Sequence, residues 1–373
     1  MPINYNKVAV RIDRGALRAN YRLLAGKGSR LMAVIKSDAY GHGLAETAEV
    51  LAEEGAESFA VGTVEEAVQL RECGCAGRIV SLLGPIDAWE YPAMWEHGVL
   101  PFVGNGDQLA KLADAARKQD RPLDICLKFD TGMSRLGFRL EGMDVLLDRL
   151  ADLPGVRPVM AASHLATADE PEKAEYVRRQ GELFAAIVAR LRGAGYDVEA
   201  SLANSAGILG HPEVHHQTQR AGIALYGVNP FAGTGREQLG RGLTPAMSVS
   251  VPVLEVHDLP RGGSISYGCT FTADRDMRVA IVAAGYADCY SRGLSGKGWM
   301  NLRGKRAPIL GRVCMQLTAV DAGAVQDVRV GDTAWLLGGP GEGSVLPGEL
   351  SSWWGTIPYE VFCLLGLNRR EYV

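Results

Sequence analysis

The chain lacks any uncharged apolar run near the roughly 18–20 residues that a membrane-spanning helix needs. Its longest apolar stretches, such as Val279–Ala287, have the length of a core strand. It lacks a surplus of either charge: 39 Lys and Arg stand against 43 Asp and Glu, a formal net charge of −4. No Lys/Arg stripe interrupts this balance, which argues against a nucleic-acid footprint. The first residues, Met1–Lys7, lack the basic-then-apolar layout of a signal peptide. Cysteine is sparse, odd in number and scattered (positions 73, 75, 126, 269, 289, 314 and 363), so it offers no disulfide framework and points to a reducing compartment. Cys73 and Cys75 have no second Cys/His pair at zinc spacing, so buried thiols are expected there rather than a metal. His211, His215 and His216 lack a carboxylate–histidine layout, and a solvated loop is expected. The glycines of Gly338–Gly343 do not lead from a strand into a helix, so they read as a hairpin loop and not as a dinucleotide fingerprint. These exclusions leave a soluble, cytoplasmic protein with no metal, membrane or nucleic-acid partner. At 373 residues, 47% hydrophobic and 22% charged, it is expected to hold two or three domains of about 150 residues.

What is present divides in two. From residue 12 to 235, short β-branched runs alternate with amphipathic stretches. Candidate strands are Leu31–Ile35, Phe59–Gly62, Arg78–Leu83, Leu100–Gly104, Leu123–Asp130, Pro158–His164, Glu199–Asn204 and Thr218–Tyr226. Between them, apolar residues recur every three or four positions, as in Leu183, Ala186, Ile187 and Leu191, which is helical spacing. Eight strand–helix units imply parallel crossovers, and eight is the number that closes a (β/α)8 TIM barrel. From 236 to 373 the rhythm changes to strands without long helices, punctuated by Pro260-Arg261-Gly262-Gly263, Arg303-Gly304-Lys305 and Gly338–Gly341. That pattern predicts a C-terminal, mainly antiparallel β domain, with residues 1–11 pairing onto it. A last helix is expected over Tyr359–Leu365.

The chemistry concentrates in Ala33-Val34-Ile35-Lys36-Ser37-Asp38-Ala39-Tyr40-Gly41-His42-Gly43. Lys36 would sit at the carboxyl end of the first barrel strand, where barrel enzymes place reactive groups. Among apolar neighbours, desolvation would lower its pKa and free a Schiff-base amine; equally, it could be a surface lysine at a strand end. Read on its own, Ser205 is a helix N-cap, Arg220 a barrel-mouth salt-bridge partner and Tyr267 a hairpin packing residue.

Lys-x-x-Ala-Tyr-Gly-His-Gly after a β-strand resembles the pyridoxal-phosphate lysine motif of bacterial alanine racemases. The resemblance continues in order through Thr131–Gly137, Ser163–Asp169, Ala203–Ser205, Arg220–Gly227, Ser266–Gly268, Gly285–Asp288, Gly311–Met315 and Thr356–Glu360. It implies a barrel followed by a β domain, pyridoxal 5'-phosphate as cofactor, and alanine as substrate. Lys36 and Tyr267 would act on opposite faces of the substrate α-carbon. Ser205, Gly222 and Ile223, with the hydroxyls of Tyr40 and Tyr359, would cradle the phosphate. Arg220 would face the pyridine nitrogen; a guanidinium cannot accept the proton an aspartate would share, so the ring stays uncharged and prompt reprotonation is favoured over transamination. His164 would link Tyr267 to Arg220, while Arg135 and Met315 would meet the substrate carboxylate. Lys128 matches a lysine that some members carry as a carbamate. Because Tyr267 and Lys36 fall in different domains, the resemblance implies a homodimer with shared sites.

There are departures. Gln316 stands where the family usually has aspartate, Cys289 where glycine is usual, and Ser37 where alanine is common. A broader racemase of serine or basic amino acids remains a competing expectation. So does a non-catalytic pyridoxal-phosphate-binding barrel, although such proteins end before any residue equivalent to Tyr267.

Overall fold

The computed structural model describes residues 6–373. Of the segment expected to pair with the β domain, residues 1–5 lie outside the described residues. A first strand, β1 (Ala9–Ile12), precedes eight further strands: β2 (Arg30–Val34), β3 (Ser58–Val61), β4 (Arg78–Ser81), β5 (Val99–Val103), β6 (Leu123–Lys128), β7 (Val156–Ala162), β8 (Glu199–Ser201) and β9 (Thr218–Ala221). β2 to β8 pair in sequence, all parallel, and β9 returns to pair with β2. β8 and β9 meet through Arg220 N–H donating to Ala203 O at 3.0 Å, which brings the sheet close to a closed ring. Strands buried on both faces read as apolar runs, and Val99–Val103 is buried throughout.

The intervening helices are positioned by their caps and stripes. Asn105 caps the helix Gly106–Gln119 by accepting from Gln108 N–H at 2.8 Å, and Leu109, Leu112, Ala113 and Ala116 form its buried stripe. Thr63 and Glu66 form a reciprocal capping box on the helix Val64–Glu72.

Inter-residue contacts separate this barrel unit, Leu17–Ala39 with Leu44–Thr244, from a second unit made of the described residues up to Ala16, Tyr40–Gly43 and Pro245–Val373. The second unit contains β10 (Met247–Leu259), β11 (Ser264–Ile265), β12 (Phe271–Thr272), β13 (Met277–Val282), β14 (Trp299–Leu302), β15 (Lys305–Leu310), β16 (Thr318–Asp321), β17 (Thr333–Leu337) and β18 (Arg369–Tyr372). Its large sheet runs β13-β16-β15-β14-β17-β10-β1-β18, and β10 also pairs with β13. The ladders are antiparallel except that β1 lies parallel to β18. Val279, Ala280 and Val282 of β13 are fully buried in its core.

Several local expectations need correction. The last barrel strand stops at Ala221, not Tyr226, because Gly222 (φ −117°, ψ −103°) turns the chain into a 3-10 turn over Ile223–Tyr226. The strand expected over Ser264–Tyr267 ends at Ile265, because Ser266 adopts φ 66°. The helix Pro347–Trp354 and strand β18 were not anticipated. Cys73 is exposed rather than buried. His211 is only 3% exposed, and its ring contacts Glu213 Oε1 at 3.0 Å and Ala168 O at 3.1 Å, so that segment is packed and not a solvated loop. Among the described residues, no helix is long and apolar enough to cross a membrane, and no group of three or more His, Cys, Asp or Glu could hold a metal ion.

Candidate active site

Lys36 follows Ile35 directly off the carboxyl end of β2. Four consecutive residues then take left-handed backbone: Ser37, Asp38, Ala39 and Tyr40, with φ between 53° and 54°. Each non-glycine residue in that region costs about 1–2 kcal/mol, and runs of them are rare. The turn is held by specific bonds. Ala39 N–H donates to Ile35 O at 2.8 Å, Asp38 N–H to Glu66 Oε1 at 3.2 Å, and Asp38 Oδ1 accepts from Leu44 N–H at 2.7 Å. Glu66, already satisfying its own capping box, thus also braces the turn that follows the lysine.

On β9, the strand paired directly with β2, lies Arg220, 4% exposed. Its Nη1 donates to Ser201 O at 2.9 Å and Ser201 Oγ at 2.6 Å. Its Nη2 meets Ser163 O, His164 Nδ1 at 3.3 Å and Leu202 O at 3.4 Å. All five bonds leave from the two terminal nitrogens, so Nε–H is not consumed by them. Burial lowers the guanidinium to about 10, which still leaves it charged at neutral pH.

His164 lies at the end of β7's strand extension. Burial, and then the positive charges of Arg220, Lys128, Arg135 and Lys36, hold its imidazole well below the usual histidine range. It is therefore neutral, accepting from Arg220 at Nδ1 and carrying its hydrogen on Nε2. Lys128, at the end of β6, is pushed down to about 7, chiefly by burial and then by Arg220. Its Nζ donates to Phe129 O at 3.0 Å. Arg135 is exposed, on the loop that leaves β6.

Ser205 lies beyond β8 on the first turn of the short helix Ser205–Gly210. The N-cap is not Ser205, as its own residue type suggested, but Asn204, whose side chain accepts from Gly207 N–H at 3.0 Å. Relieved of capping, Ser205 Oγ accepts from Gly222 N–H at 2.9 Å and Ala224 N–H at 3.2 Å. Both acceptor positions are then taken, so its hydroxyl hydrogen is free to donate outward. Ser205 and Ile223 each occupy the first position of a helical turn, where the N–H has no intrahelical acceptor.

Sequence reasoning passed over Gln180. It sits in the inward stripe Val177, Gln180, Phe184, Ile187, Val188 and Leu191 of the helix Ala174–Gly193. A lone amide in an apolar stripe is the signal that could have found it.

The second unit holds the other expected residues. Tyr40 is buried, with its ring centroid 5.8 Å from that of Tyr359. Burial, then Tyr359 and Cys363, raise its hydroxyl, so it is a neutral donor. Tyr267 is 73% exposed and Met315 57% exposed. Their segments adjoin: Ser266 Oγ bonds Arg312 O at 2.7 Å and lies 3.2 Å from Cys314 Sγ, while Ala287 N–H donates to Met315 O at 2.9 Å. Tyr286 and Leu317, on the same segments, are exposed as well. The structure thus groups Lys36, Arg220, His164, Lys128, Ser205, Gly222 and Ile223 in the barrel unit, and Tyr40, Tyr359, Tyr267 and Met315 in the β unit.

A phosphorylated pyridine aldehyde needs an amine, a partner for its ring nitrogen and a set of phosphate donors. The barrel residues fit that group: Lys36 would supply the amine, Arg220 Nε–H the partner, and the Ser205 hydroxyl with the helical-turn N–H groups of Ser205 and Ile223 the donors.

The fold and site define a barrel enzyme built around a strand-end lysine. Residues 12–230 match the model of the alanine racemase N-terminal domain, and residues 246–372 that of the alanine racemase C-terminal domain. The alanine racemase of Nitratidesulfovibrio vulgaris strain Miyazaki F is 55% identical over 372 residues, covering 100% of both chains. A crystal structure of alanine racemase from D-cycloserine-producing Streptomyces lavendulae superposes with a TM-score of 0.92 at 33% identity, covering 100% of this chain and 98% of that one. The alanine racemase from Bartonella henselae, solved with covalently bound pyridoxal phosphate, gives 0.88 at 28% identity, covering 98% and 99%. The chain belongs to the alanine racemase family.

Proposed function

We propose that this chain is a pyridoxal-phosphate-dependent alanine racemase that interconverts L- and D-alanine and so supplies D-alanine for peptidoglycan. The observation that carries this reading is the pairing, at one barrel mouth, of a lysine on a braced left-handed turn with a buried arginine clamped by five bonds. When bound, the cofactor supplies an electron sink that makes the substrate Cα–H acidic.

The protein supplies the rest. Lys36 Nζ exchanges a proton with Cα on one face, and the phenol of Tyr267 on the other. Arg220 holds the ring nitrogen without giving it a proton, which keeps the substrate on the path to simple reprotonation. Ser205 and Ile223, beside the turn at Gly222, hold the phosphate from the barrel unit. His164, neutral and bonded to Arg220, passes that positive influence toward Tyr267. Arg135 and Met315 orient the substrate carboxylate.

In this reading the barrel, 12–235, binds the cofactor. The β domain, 236–373, delivers Tyr267 to a second copy in a homodimer with two shared sites. The exposure of Tyr267, Tyr286, Met315 and Leu317 on adjoining segments supports such an assembly, since large apolar side chains gathered at a surface suit an interface. Seven free thiols support a reducing, cytoplasmic setting.

Subunit mixing tests the reading. Lys36→Ala should lose both visible cofactor absorbance and activity, and Tyr267→Phe should lose activity alone. Mixed in equal amounts under exchange, half the dimers become hybrids with one intact site, restoring about a quarter of wild-type activity. No restoration would overturn the shared site. Absence of solvent deuterium at alanine Cα with the wild-type holoenzyme would overturn the racemase.

A further inference from the structure

Behind the barrel mouth, the polar bonds converge on Gln180, which is 1% exposed. Its Oε1 accepts from Ala166 N–H at 2.9 Å, and its Nε2 donates to His164 O at 3.0 Å and to Thr131 Oγ1 at 3.3 Å. Thr131 Oγ1 lies 2.7 Å from Ser163 Oγ, which also lies 2.9 Å from Phe129 O. The Ser163 carbonyl and the His164 ring both meet Arg220 Nη2. One amide therefore ties the loop carrying His164 to the start of the loop carrying Arg135. Satisfied buried networks of this kind fix one geometry, and a partner removed leaves its neighbours buried and unpaired.

We propose that Gln180 is a positioning residue for racemisation: it holds the His164 and Arg135 loops in register and so sets the His164 ring against Arg220. The inference rests on the racemase reading above. It has a consequence at the ring itself. His164 is faced by four cationic groups, Arg220, Lys128, Arg135 and Lys36, and by burial. Released from Gln180, the His164 loop moves its ring toward water and away from Arg220. The imidazole then moves back up toward the ordinary histidine range as burial and its cationic neighbours release it. A protonated ring cannot accept from Arg220, so activity should acquire an acid limb that wild type lacks.

The holoenzymes of wild type, Gln180→Met and Gln180→Glu are compared. Methionine keeps length and deletes all three bonds; glutamate keeps the Ala166 acceptor and removes the donor to His164 O. For both variants, kcat should fall about 10- to 100-fold, the scale of an ångström-sized misplacement, with KM for L-alanine within about threefold. Log kcat/KM against pH should bend downward on the acid side in the variants only. If Gln180→Met does not fold, the Gln180→Glu profile decides. Variants that lose thermal stability while keeping wild-type kcat and pH profile would overturn the positioning role alone. A wild type that does not racemise alanine would instead overturn the function on which the role rests.

Discussion

Replacing Arg220 by lysine keeps a positive charge in the barrel but removes the planar fork. Arginine engages five acceptors: Ser201 O and Oγ, Ser163 O, Leu202 O and His164 Nδ1. A lysine ammonium has three donors on one nitrogen, so at least two of the five lose their partner. An acceptor left buried and unpaired costs about 1–3 kcal/mol; Ser201 O also accepts from Ser163 N–H at 3.1 Å, so one or two acceptors are stranded, giving about 1–6 kcal/mol for Arg220→Lys. Arg220→Ala strands the other four, at about 4–12 kcal/mol, which is comparable to the entire stability margin of an ordinary protein. The lysine variant should therefore fold with a lowered urea midpoint, and the alanine variant should fail to accumulate as folded protein. Urea denaturation followed by tryptophan fluorescence measures the difference. A lysine variant within about 1 kcal/mol of wild type would refute the reasoning, since the bonds would then carry no net stability.

Lys128, pushed down to about 7, binds fewer protons folded than unfolded between pH 7 and about 10. The cost of burying its charge is complete below pH 7 and is relieved as pH rises, so wild type should gain stability relative to Lys128→Met over that window. Parallel urea midpoints at pH 7 and pH 9 would contradict this. Gln316, exposed beside Met315, carries no charge where a family aspartate would. Gln316→Asp should change KM for alanine or the pH dependence of kcat/KM while preserving turnover, and kinetics indistinguishable from wild type would dismiss any role for the amide.

Much of the architecture was legible before any coordinates. Alternating β-branched runs and amphipathic stretches are the local signature of parallel strands packed under helices, and β2 to β8 lie close to where that pattern put them. The change of rhythm past residue 235 likewise announced an antiparallel region, because turn residues and period-two strands act locally. Boundaries were less legible where backbone conformation overrides residue preference. Thr218–Tyr226 reads as one β run, yet Gly222 breaks it, and Ser266 takes φ 66° in a segment of good strand formers.

By itself, the sequence determined the kinds of chemistry available: an amine at a strand end, hydroxyls and amides at turns, an arginine on a strand, all in an order that resembles one family. Only the tertiary structure decided what those groups can do. Arg220 reaches Ser163, His164, Ser201 and Leu202 because the barrel brings β7, β8 and β9 together. Ser205 is free to donate because Asn204 takes the cap. Gln180 becomes an anchor because its helix turns it toward two loops. Chain-local rules set periodicity and caps, whereas burial, shared partners and shifted ionisation arise only when residues distant in sequence are brought into contact.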